Sequence, residues 1–110
     1  MKIPLEGKLL RIFVGEADKW NGRPLYEEIV ALARKKEMAG ATAIKGFLGF
    51  GAKSHMHSAK VLRLSEDLPV IIEIVDSEEK IAQFIPYLDE MVKEGLVTIE
   101  KANVVMYRAS

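Results

Sequence analysis

The chain writes one pattern twice, a β-type run followed by a helical stripe and a second β-type run, and that doubled order leaves few folds open. Lys8 to Gly15 alternates like a half-buried strand. Leu10, Ile12 and Val14 share one side, and Leu9, Arg11 and Phe13 share the other. A polar loop follows, with Trp20 and the turn pair Asn21-Gly22. Pro24 then suits a first helical turn, and Leu25, Ile29, Leu32 and Ala33 recur at helical spacing up to a stop at Gly40. Ala41 to Leu48 reads as the second strand. In the second half, Ala59 to Leu64 is a short extended run and Ser65-Glu66-Asp67 a turn. Pro69 to Val75 is apolar and β-branched, as a central strand should be. Asp76 or Ser77 caps a second helix with the stripe Ile81, Phe84, Ile85, Leu88, Met91 and Val92. Pro86 is expected to bend that helix and Gly95 to end it. Leu96 to Tyr107 supplies the last extended segment, with a bulge expected near Lys101-Ala102-Asn103.

Two helices against one four-stranded sheet make an α+β fold, a ferredoxin-like βαββαβ sandwich with a loop excursion between its two halves. At 110 residues the chain fits a single domain spanning residues 1–110. The expected strand order is 4-1-3-2. Two helices can cover only one face of such a sheet. The uncovered face is expected to hold Leu9, Arg11 and Phe13, then Ala43, Lys45 and Phe47, then Ile71, Glu73 and Val75. Arg11, Glu73 and Lys45 then fall in a row across adjacent strands, with apolar neighbours. A solvated face would be more polar. This face is therefore expected to pack against copies of itself in a homo-oligomer, with Arg11, Phe13, Lys45, Phe47 and Glu73 at the interface.

Composition narrows the chemistry. Sixteen basic and 16 acidic residues give a formal net charge of zero. Such a chain has no general attraction for nucleic acid or for an acidic membrane surface. The absence of Cys excludes disulfides, thiolate zinc sites, iron–sulfur clusters and Cys nucleophiles. No run approaches a membrane span, and the N-terminus lacks a signal-peptide core, so a cytoplasmic location is expected.

The most unusual segment runs from Gly46 to Ser58, Gly-Phe-Leu-Gly-Phe-Gly-Ala-Lys-Ser-His-Met-His-Ser. Its glycines free backbone N–H groups, and Lys53, Ser54, His55 and Ser58 add donors. That is a composition able to cradle an anion. It is not a Walker A loop, because Ala52 separates Gly51 from Lys53 and His55-Met56-His57 stands where a helix should begin. The Rossmann glycine spacing is absent as well. A hairpin excursion with no ligand is the plainer reading. His55 and His57 share a face in extended chain and could begin a metal site, though no third His exists. No Ser-His-acid arrangement or acid–base pair can be placed, so no enzyme activity is expected. Trp20 beside Lys19 and Arg23 could stack a base, but a packing anchor or an interface residue is the simpler role.

With these residues in view, the whole chain resembles the PII (GlnB-like) nitrogen-signalling proteins. The resemblance rests on the β-α-β order around a loop, on Lys45-Gly46-Phe47-Leu48-Gly49-Phe50-Gly51, and on Pro69-Val70-Ile71-Ile72-Glu73-Ile74-Val75. It is greatest with the uncharacterised PII-like branch, through Gly49-Phe50-Gly51-Ala52-Lys53-Ser54-His55 and Leu64-Ser65-Glu66-Asp67-Leu68-Pro69. The resemblance implies a homotrimer with inward-facing sheets. It also implies a small anionic ligand, an adenine nucleotide (ATP, ADP or AMP), in clefts between subunits. A loop there would report ligand state to a partner protein such as a transporter or enzyme. Gly46, Phe47, Gly49, Phe50 and Gly51 would then form the loop base at the ligand, and Lys53, Ser54, His55 and His57 would belong to the loop itself. The chain departs from PII at Lys93-Glu94-Gly95-Leu96-Val97-Thr98-Ile99-Glu100, where PII carries a second glycine- and lysine-rich phosphate loop. The alternative is a divalent-metal-binding trimer of the ion-tolerance type using His55 and His57.

Overall fold

The computed structural model describes residues 6–51 and 67–109. Strand β1 (Glu6–Gly15) leads through a small hairpin, β2 (Lys19–Trp20) and β3 (Arg23–Pro24), into helix α1 (Leu25–Lys35). Strands β4 (Thr42–Lys45) and β5 (Pro69–Asp76), helix α2 (Glu78–Met91) and strand β6 (Leu96–Asn103) complete it. The four long strands form one sheet in the order β4-β5-β1-β6, with every neighbour antiparallel. This is the expected 4-1-3-2 order of the ferredoxin-like fold.

The alternation in β1 and β5 decides which face folds the chain. Leu10, Ile12, Ile72 and Ile74 are fully buried, and Val14 and Val70 nearly so. They meet Leu25, Ile29 and Ala33 of α1 and Ile81, Phe84, Leu88 and Met91 of α2. Burying each such side chain contributes about 1.5–3 kcal/mol, so this layer carries most of the driving force. Trp20 is half-buried against the same core, which makes it a packing anchor. Its hairpin turns at Asn21 (φ 52°) and Gly22 (φ 79°), left-handed conformations that an Asn-Gly pair adopts readily.

Several local expectations change. Helix α1 stops at Lys35 rather than Gly40, and Glu37 takes a left-handed φ of 60°. The early stop turns Met38 back into the core, where its N–H donates to the Ala33 carbonyl at 3.0 Å. Pro86 sits on the exposed side of α2, and the helix continues through it. No bulge interrupts β6, whose register with β1 runs unbroken from Leu96 to Asn103. Gly95 is required by close approach, since a Cβ there would lie 2.5 Å from the Phe13 carbonyl oxygen. Ser77 caps α2 by accepting from the Lys80 N–H at 3.1 Å. Asp76 is buried and accepts from the Ala39 N–H at 2.8 Å and the Ser77 N–H at 2.7 Å. It ties the α1–β4 connection to the start of α2. The expected run Ala59 to Leu64 lies outside the described residues.

Candidate functional site

The open face of the sheet is built largely as anticipated, with one slip. Leu9, Arg11 and Phe13 of β1 face Val75, Glu73 and Ile71 of β5, and all are half-buried. Arg11 Nε donates to Glu73 Oε2 at 2.8 Å, and its Nη1 reaches Glu100 Oε2 at 3.2 Å. The hydrogen bond from Arg11 to Glu73, and then the charge of Glu100, hold the guanidinium above its ordinary pKa.

Lys45 does not join this row. In β4 it is Thr42 that stands opposite Glu73, and Ile44 opposite Ile71, while Ala43 and Lys45 pair with the buried Ile72 and Val70. A one-residue slip turns every side chain of a strand to the other face. The expected row is therefore corrected: Thr42, Glu73 and Arg11 span it. Lys45 Nζ instead meets Glu16 Oε2 at 2.8 Å, just past the end of β1.

That ion pair belongs to a cluster at one end of the sheet, where the loop after β4 leaves and returns. On the outgoing arm, the Gly46 N–H donates to the Pro69 carbonyl at 2.7 Å. Cβ atoms on Gly46 and Gly49 would lie 3.0 and 3.1 Å from the Pro69 ring, so the two glycines let the outgoing chain wrap that ring closely. On the returning arm, the Glu16 N–H donates to the Leu68 carbonyl at 2.8 Å, and the Ala17 N–H to Asp67 Oδ1 at 2.9 Å. A Cβ on Gly15 would stand 2.7 Å from that carboxylate oxygen, so glycine is what admits Asp67. Above this base, Phe47, Leu48 and Phe50 are 82%, 65% and 69% exposed, an unusual run of bare apolar side chains.

The structure sets Gly46 and Gly49 against Pro69 at the loop base, leaves Phe47 and Phe50 exposed beside them, and places nothing within 4 Å of the Gly51 Cβ position. Lys53, Ser54, His55 and His57 lie outside the described residues. Sequence reasoning missed Gly15, Glu16 and Asp67, which hold the base. Asp67 stood out as part of a turn and of a family-like segment, and nothing near Gly15 marked a partner more than 50 residues away. Among the described residues, two of the concavities lie elsewhere, on the helix side. One of about 210 Å³ is lined by Lys36, Met38, Lys80, Gln83, Phe84 and Tyr87. The other, of about 310 Å³, lies between the helices and is bordered by Trp20, Leu32 and Tyr87. Among the described residues, no three His, Asp or Glu side chains gather as a metal site would need, and no helix is long and apolar enough to cross a membrane.

Residues 7–104 match the DUF190 family, described as an uncharacterized ACR. A UPF0166 protein of Methanocaldococcus jannaschii is 38% identical over 101 residues, covering 91% of this chain and 93% of that one. A UPF0166 protein of Aquifex aeolicus is 36% identical over 98 residues, covering 89% and 92%. Among solved structures, CPII from Thiomonas intermedia K12 bound to ADP, AMP and acetate has a TM-score of 0.66 at 19% identity, covering 96% of this chain and 94% of that one. The same protein bound to ADP and bicarbonate also has a TM-score of 0.66 at 19% identity, covering 92% and 90%. Family match and fold agree: the chain belongs to the DUF190 family and carries the PII-like fold.

Proposed function

We propose that this protein is a non-enzymatic, ligand-sensing regulator, a homotrimer that binds an adenine nucleotide in its inter-subunit clefts and signals to a partner protein through the loop after β4. The observation that carries the reading is a coincidence of fold and loop. CPII, which shares the fold, holds ADP and AMP. In the present chain the segment after β4 leaves a base tied to the turn after β1, with glycines and bare aromatic side chains. In this reading Gly46, Gly49 and Gly51 let the backbone approach the ligand, and Phe47 and Phe50 offer apolar faces. Lys53, Ser54, His55 and His57 supply donors to phosphate. A ligand that fits one loop arrangement better than another shifts the population towards it, and that difference is the signal. The half-buried Leu9, Phe13, Ile71 and Val75 support assembly through the open face.

Thermal shift with ATP, ADP, AMP, cyclic nucleotides and divalent metals in parallel tests the ligand. At 100 times its dissociation constant a ligand adds about 2.7 kcal/mol, a readily measured shift. An adenine nucleotide is expected to stabilise the protein, and less so in Lys53→Ala. No shift with any nucleotide overturns the reading. A shift with metal alone, lost in His55→Ala, favours the metal-binding alternative. Light scattering at micromolar concentration is expected to give three times the chain mass, and Phe13→Glu to reduce it to one.

A further inference from the structure

The base of the loop is fastened to a second element whose role the ligand reading leaves open. Both arms of the loop end on the turn after β1. Lys45 on the outgoing arm pairs with Glu16 at 2.8 Å. Asp67 and Leu68 on the returning arm accept from the Ala17 and Glu16 amides at 2.9 and 2.8 Å. The same turn is closed on itself, since the Gly15 N–H donates to Asp18 Oδ2 at 2.9 Å and the Asp18 N–H to the Gly15 carbonyl at 3.2 Å. It then grips the next segment, because the Asp18 carbonyl accepts from the Leu25 N–H at 2.8 Å across the whole β2–β3 hairpin. That hairpin carries Trp20, packed on the core beside α1.

We infer that the Gly15–Asp18 turn is a latch coupling the two arms of the loop to the Trp20 hairpin, so that a change at the loop base is felt at Trp20. The physical grounds are continuity and stiffness. Three contacts enter the turn from the loop side, two hold it shut, and a backbone bond leaves it for the hairpin. A turn of four residues with its ends tied has few ways to move without moving what it holds. Gly15 is the point of least tolerance, because any side chain there displaces the Asp67 carboxylate.

Two opposite variants test the latch without a ligand. Asp67→Ala removes the acceptor from the loop side, and Gly15→Ala pushes it away from the turn side. Amide hydrogen exchange on the full chain should show Ala17 opening about tenfold faster or more in each variant. The amides of Trp20 to Arg23 should follow, and the emission of Trp20, the one tryptophan in the sequence, should shift. Amides in α2 should stay protected, which separates release of the latch from general unfolding. Faster exchange confined to Ala17, with the hairpin and Trp20 emission unchanged, overturns the inference. A second arm rests on the nucleotide reading. ADP and AMP are titrated while heat and Trp20 emission are recorded together. Emission that follows the binding isotherm, and is lost in Asp67→Ala with binding retained, supports the latch. Binding with silent Trp20 emission overturns the latch and leaves the nucleotide reading standing. Absence of heat overturns the nucleotide reading, and the exchange result alone then decides the latch.

Discussion

The two faces of the sheet are made from the same strands and finished in opposite ways. On the helix side, Leu10, Ile12, Ile72 and Ile74 are sealed from water. On the other side, Leu9, Phe13, Ile71 and Val75 are only half-buried, around an ion pair between Arg11 and Glu73. The first face is complete within one chain, and its aliphatic side chains need no outside partner. The second is too apolar for a surface and too charged for an interior. In the assembly proposed above, the ion pair would set register and the apolar flanks would supply attraction.

Adjacent residues in β5 separate these roles most sharply. Ile72→Ala opens a cavity in the finished face and is expected to cost about 2–5 kcal/mol in urea unfolding. Ile71→Ala, one residue away, should cost less than about 2 kcal/mol in the dissociated chain, and its main effect should be on molar mass. Equal costs would break the distinction between the faces. Asp76→Ala comes next. It strands two amides on the helix side, those of Ala39 and Ser77, and should cost about 2–4 kcal/mol. The Ala39 amide should exchange faster. Ser77→Ala removes a single cap bond and sets the scale of a local effect, about 1 kcal/mol by thermal unfolding. Arg11→Met should change the unfolding midpoint of the dissociated chain least of all, with the difference shrinking as salt is added, because the pair is about one-third exposed on each side. Its effect on assembly should be larger and salt-dependent, and an assembly indifferent to this change would deny the ion pair a role in register.

How much of this was legible in the sequence depends on how strongly each segment speaks. Strands β1 and β5 and helix α2 carry enough large aliphatic residues, such as Ile72, Ile74, Phe84 and Leu88, to fix their own phase. Strand β4 does not. Thr42-Ala43-Ile44-Lys45 has one large apolar residue, so its facing is set by pairing with β5 rather than by its own pattern. That is why Lys45 was misplaced. The stop of α1 was missed for a related reason: Met38 must return to the core, and this overrides the preference for glycine that made Gly40 look like the terminus. The glycine-rich loop was visible in the sequence through its composition. The bonds that hold the base, from Ala17 to Asp67 and from Lys45 to Glu16, link positions that no local pattern connects.

The pairing of β1 has a consequence for how the chain comes into being. Both of its sheet neighbours, β5 and β6, lie in the second half of the sequence. During synthesis β1 is therefore made long before either partner, and its apolar side must wait while the whole loop is added. Contacts so distant in sequence slow folding. Yet the entropy of closing the intervening loop grows only with the logarithm of its length. The loop can thus change in size and composition at little thermodynamic expense, while the time an unpaired central strand spends exposed sets the pressure for rapid completion of β5.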